Sequence, residues 1–266
     1  MRKIFFLAFL CISLSSIAQT QQVDSVLAEI QKAKNDTDKV RLYETLFYDL
    51  DDPYESLTKG ENPGEKLKYA ISIISLSQQS NYKWGLAQGY NCMGLVYMFT
   101  DRRHPNKALE NFYKAADILR NLGDMHMLGG VTANIGSVFF QHHFRKRSMD
   151  TLLRAKEILE SIHDSSLYLA CTYEKLGIVL SSSKNYQEAI ESYLKAKTIF
   201  EKKRSKKYPC DIYLLLGWAY AGQKSYNDAS LYTKMGLDIA KETKDSVMVT
   251  NAEKCLDYIN KHSARH

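Results

Sequence analysis

The 266-residue chain lacks every short pattern that would announce catalysis. It holds no Gly-rich phosphate loop, no Gly-x-Ser-x-Gly, no His-Glu-x-x-His and no dinucleotide fingerprint. No catalytic residue, cofactor or metal is therefore assigned. Cysteine is scarce, with five in the chain and no two of them two to four residues apart. That excludes the familiar metal-holding Cys pairs. Charge of one sign is scarce too: 36 Lys and Arg stand against 30 Asp and Glu. So mild an excess favours solubility and does not point to nucleic acid.

Long apolar runs are confined to the start. Arg2 and Lys3 precede Ile4 to Ile12, and Ser16-Ile17-Ala18 offers small residues around a cleavage position. This is the layout of a secretory signal peptide, with cleavage expected after Ala18 and Gln19 as the new N-terminus. The run is shorter than the roughly 20 residues a spanning helix needs. Phe9 and Leu10 before Cys11 argue against lipid attachment there. A periplasmic or secreted protein without stable membrane insertion is the expectation. Oligomeric state stays open.

What the chain does have is a beat. Gly94, Gly136, Gly177 and Gly217 recur at intervals of 42, 41 and 40 residues. Ala108, Ser148, Ala189 and Ala229 follow them, and seven residues further stand Ala115, Ala155, Ala196 and Gly236. Such self-similarity marks an array of one structural unit. Large apolar residues surround each Gly at three- and four-residue steps, as in Tyr90, Met93 and Tyr97 or Tyr173, Leu176 and Leu180. That spacing puts them on one helix face. The second helix of each unit reads small, large, small, as in Ala189, Tyr193 and Ala196. Glycine inside a helix costs about 1 kcal/mol against alanine. Four such costs at one register imply that a larger side chain would clash with the partner helix.

The third unit, Tyr173-x-x-Leu176-Gly177-x-x-Leu180 followed by Ala189, Tyr193 and Ala196, resembles the tetratricopeptide repeat. The resemblance runs from about residue 38 to 262 and has the ~40-residue period of exported bacterial members. It implies an all-α fold, a right-handed α-solenoid of antiparallel helix pairs. The Pro that commonly closes the second helix is replaced by Arg120, Glu160, Glu201 and Lys241. Longer second helices are expected in consequence.

The organisation that follows is a signal peptide at 1–18, an N-terminal segment at 19–37, one solenoid of about five repeats plus a C-terminal capping helix at 38–262, and a tail at 263–266. Val23 to Lys34 is expected as an initial helix, and 246–260 as a capping first helix whose Lys254, Asp257 and Lys261 face water. Lys39–Leu50 and Glu65–Gln79 form a degenerate first unit, split by the loop Asp51 to Gly64. Asn81, Asp124, Asp164 and Asp245 are expected to cap the helices after them, and Pro105 to open one.

Two basic turns, around His142-His143 and at Glu201 to Tyr208, read as solvated helix ends rather than ligand sites. Cys171 and Cys210 are the one pair placed for a disulfide, with buried free thiols the default. The aromatics, 18 Tyr and 10 Phe, read as inter-helix packing.

The resemblance turns certain first-helix positions to an inner, concave groove. They are Gln88, Asn91, Leu95, Phe99, Phe140, Glu174, Ile178, Asp211, Leu214 and Trp218, with Met98, Ser137, Gln141 and Ser181 beside them. Mixed and largely neutral, this surface suits a helix or extended peptide with apolar anchors. Of the Lys, Arg and Asn used by family members that clamp a terminal carboxylate, only Asn91 is present. A non-enzymatic scaffold holding a protein or peptide partner is the first expectation. The alternative is an accessory component of a signalling system, because the layout resembles the periplasmic repeat regions of sensor histidine kinases and transcriptional regulators.

Overall fold

The computed structural model describes residues 21–48, 63–203 and 209–263. These contain twelve helices and no strand. The helices are α1 (21–32), α2 (Asp36–Tyr48), α3 (Pro63–Gln79), α4 (Lys83–Thr100), α5 (Pro105–Leu122) and α6 (Met125–Gln141). They continue as α7 (Arg145–Ser161), α8 (Leu167–Ser182), α9 (Tyr186–Lys202), α10 (Pro209–Gly222), α11 (Tyr226–Glu242) and α12 (Ser246–Ser263). The expected signal peptide, nearly all of the 51–64 loop and most of the second basic turn lie outside the described residues. So does the side chain of Cys210. Among the described residues no helix is long and apolar enough to cross a membrane.

Two compact units partition the chain, Met1–Asp124 and Met125–His266. In the first, α2 packs on α3, α3 on α4 and α4 on α5, and α2 also touches α4. In the second, α6 pairs with α7, α8 with α9 and α10 with α11, while α12 covers both α10 and α11. Within this second unit α7 also meets α8, α9 meets α10 and α11 meets α12.

The repeated glycines lie where helices of a pair press together. Gly94 faces the ring of Phe112, Gly136 faces Leu152, Gly177 the ring of Tyr193 and Gly217 Thr233. A Cβ added at any of the four would stand under 3.0 Å from that neighbour. The cost of a helical glycine is thus offset by close helix contact. Ala108, Ala115, Ser148, Ala155, Ala189, Ala196 and Ala229 are all buried in the same seams. Where Ser148 replaces the usual Ala, its hydroxyl donates to the Gly136 carbonyl at 2.8 Å, so the polar atom is satisfied inside the pair.

The absent prolines have a use. The phenol of Tyr173, on α8, donates to Glu160 at the end of α7. Tyr213 on α10 likewise donates to Glu201 near the end of α9, at 2.7 Å. A Pro at either place would remove both the extra helical turn and the acceptor. In these two copies the longer period lets one pair of helices hold the next.

The turns partly differ from expectation. Asp245 caps α12, accepting from the Val247 and Met248 amides at 3.0 Å each, and Pro105 opens α5. At α8 the cap is Ser166, which accepts from the Tyr168 amide at 3.1 Å, while Asp164 braces Ser166. Asn81 is not a cap: it takes the left-handed conformation with φ 51°, and Tyr82 precedes α4. A short polar side chain satisfies either role, a cap or a left-handed turn, so residue type alone does not separate them.

Candidate functional site

The ten groove positions divide by unit, four in the first and six in the second, and those of the first are on the whole more deeply buried. In the first unit Gln88, Asn91 and Leu95 are buried, Leu95 to 1% exposure and Asn91 to 4%. The expectation that they line an open groove is corrected here. At Asn91 the covering group comes from α2, whose Tyr48 reaches α4 and accepts from the Asn91 amide at 3.0 Å. Cys92, one residue on, also bonds that phenol at 3.3 Å. Burial of Cys92 pushes its thiol well above the usual range. Phe99 is half-buried further along α4.

A residue that sequence reasoning missed helps hold α2 in place. Lys66 on α3 is only 2% exposed. Its ammonium donates to the carbonyls of Phe47 at 2.7 Å and Leu46 at 3.3 Å, in the last turn of α2. Carbonyls in the last turn form the negative end of a helix dipole, where a cation is favoured.

In the second unit the same register is partly open. Glu174 and Ile178 on α8 and Asp211 on α10 are half-buried, as is Phe140 at the end of α6. Ile178 and Phe140 rest against the unit's apolar core. Leu214 is the exception, buried with Ala240 and Ala252, and it too leaves the list of groove residues. Trp218 is 40% exposed, the one large aromatic of the ten that stands clear of the core. Its ring lies 5.6 Å from that of Tyr258 on α12, which is 39% exposed, and His262 stacks on Tyr258 at 4.0 Å. Tyr258 sits 40 residues after Trp218. Extending the beat one period further would have found it.

Electrostatics on this face centre on Glu174. Burial and then the nearby Asp211 carboxylate push its carboxyl up to about 7, against the pull of Lys175. The Lys175 ammonium is itself depressed by burial and donates to Asn134 on α6 at 3.1 Å. Cys171, one turn before Glu174, is pushed up to about 12 by burial and is a free thiol, as are Cys92 and Cys255. Among the described residues no group of His, Cys, Asp and Glu is arranged to hold a metal ion.

Successive antiparallel helix pairs, joined through small residues at a fixed register, define an α-helical repeat protein. More narrowly, residues 168–242 match the tetratricopeptide repeat. Solved structures of similar fold include BtubC from P. vanneervenii, 14% identical over 77% of this chain and 92% of that one, with TM-score 0.59. A Rap protein complexed with Competence and Sporulation Factor is 15% identical, covering 88% of this chain and 62% of its own, at 0.63. A signal transduction ATPase with a tetratricopeptide repeat sensor, from Pyrococcus horikoshii, is 17% identical over 90% of this chain and 41% of its own, at 0.58. At these identities the likeness is one of fold. No curated protein matches the sequence.

Proposed function

We propose that this chain is a non-enzymatic, exported scaffold that captures a peptide or protein segment on the first-helix, concave face of its second unit. The observation that carries the reading is Trp218. Most of the large aromatics on the described first helices are spent on packing, whereas this one is 40% exposed, one period after half-buried Ile178 at the same register. It is mounted on rigid helices. Repeat arrays present extended surfaces of this kind, and apolar anchors are what a bound segment would bury. Export rests on Arg2, Lys3, the apolar run Ile4 to Ile12 and the small residues before Gln19.

A second reading, an accessory part in signalling, draws on two proteins of similar fold. One is a Rap protein in complex with Competence and Sporulation Factor, and the other carries a repeat sensor on a signal transduction ATPase. It asks for the same capture step and differs in what the capture reports to.

Peptide phage display against the full chain tests the capture. Selected peptides should lose at least about tenfold in affinity when Trp218→Ala and Phe140→Ala are combined, with the helical circular dichroism unchanged. Selection of no peptide, or of peptides indifferent to the double substitution, would sink the reading.

A further inference from the structure

The first-helix face of the second unit ends on α12, and the chemistry there differs from the rest of it. Tyr258 shares one stripe of α12 with Lys254, four residues earlier, and with Lys261 and His262, three and four residues later. The Trp218 contact shows which way this stripe looks: toward α10. Lys254 and Lys261 are exposed, and neither has an ion-pair partner among the described residues. Asp257 lies about 100° around the helix from Tyr258; three residues after Lys254 and four before Lys261, it flanks both ammonium groups on the side away from the ring without an ion pair among the described residues. The result is an exposed aromatic pair between two uncommitted ammonium groups.

The carboxylates of the same face lie elsewhere. Asp211 is two turns before Trp218, about 10 Å along α10, and Glu174 is on α8. A segment with negative charge would be repelled from that part and drawn to the α12 end. A segment with positive charge would meet the reverse. Such opposed fields fix register and partner choice more than raw affinity.

Building on the capture reading above, we propose that Trp218, Tyr258, Lys254 and Lys261 receive an acidic peptide segment with an aromatic or long aliphatic anchor. The anchor side chain packs on the Trp218–Tyr258 pair, and carboxylates before and after it face the two ammonium groups. The sequence expectation made Lys254 and Lys261 mere water-facing residues of a cap. Placed beside an exposed aromatic pair, they become the charge that selects the partner.

Fluorescein-labelled Gly/Ser peptides of about twelve residues, with Glu-Phe-Glu, Lys-Phe-Lys or Glu-Ala-Glu at the centre, test this by anisotropy on the full chain. Glu-Phe-Glu should bind at least about tenfold more tightly than either of the others, and more weakly as salt rises. Lys254→Glu with Lys261→Glu should reverse the order of the two Phe peptides. Trp218→Ala should erase the advantage of Phe over Ala. A Lys-Phe-Lys preference, or an order unmoved by the charge reversal, overturns the proposal. Equal binding of both Phe peptides, lost in Trp218→Ala, overturns the charge assignment and leaves capture on this face standing. If none of the three binds while phage-selected peptides do, the proposal falls alone; if neither class binds, both readings fall.

Discussion

Leu95 and Trp218 hold the same place in their repeats, one residue after the anchoring glycine, and meet opposite surroundings. In the first unit that position is sealed, and α2 meets the same helix one turn earlier, at Asn91. In the second, α12 comes beside Trp218 and leaves it half in solvent. Asn91 and Glu174 form a second matched couple, three residues before their glycines. Asn91 is buried against a phenol, whereas Glu174 is half-buried near another carboxylate. Register fixes the direction in which a side chain leaves its helix. Whether that direction ends in water depends on the next helix along.

The first couple gives the largest effect. Leu95→Asp puts a charge into a site of 1% exposure. Lost packing and an uncompensated carboxylate should together cost on the order of 4 kcal/mol or more. Trp218→Asp loses a tilted ring contact and the burial of a side chain already 40% exposed, but its carboxylate stays solvated, so about 2 kcal/mol is expected. Urea unfolding, with hydrogen exchange over 83–100 and 209–222 as local readouts, compares them. Similar costs for the two substitutions would erase the distinction between a sealed and an open face.

The beat, the small-residue seams and the helix pairs were legible because they repeat, and the physics behind them is local. Gly177 needs only the Tyr193 ring opposite to account for it, and both recur at fixed spacing. The lid over α4 was not legible. It depends on Tyr48 and on Lys66 holding the end of α2, in a unit whose copy of the pattern is degenerate. A buried lysine reads in sequence as a solvated one, since nothing local distinguishes an ammonium that finds two helix-end carbonyls. Tyr258 was legible in principle, through the 40-residue step from Trp218. It was passed over because α12 lacks the glycine that marked the other copies; Asp257 stands at that position.

Glu174 gives the intermediate effect, and it has a direction in pH. Its folded carboxyl is raised to about 7, whereas an unfolded one ionises near 4.3. Between those values the unfolded chain gives up its proton and the folded chain keeps it. This group's contribution is therefore most favourable at low pH, falls as pH rises from about 4 to 7, and levels off above. Glu174→Gln should stabilise the second unit at pH 8 by on the order of 1–2 kcal/mol, allowing for its partial exposure, and change little at pH 4. Denaturation midpoints of both proteins across that range decide it. A difference independent of pH would mean that packing, and not charge, distinguishes the site.

The smallest effect belongs to the other member of that couple. Asn91→Ala removes the amide that donates to Tyr48 at 3.0 Å, while Cys92 still bonds the phenol from the same helix. A neutral hydrogen bond of this kind is worth about 1 kcal/mol net. The contrast with Glu174 is then one of kind: at one register, one unit uses the position to fasten a lid and the other leaves a titrating group near its open surface. Hydrogen exchange should show the Asn91→Ala change in α2 as well as in α4, since the bond ties the two helices together. If protection is lost in α4 alone, the lid is held by Lys66 and apolar contact, and Asn91 is merely enclosed by it.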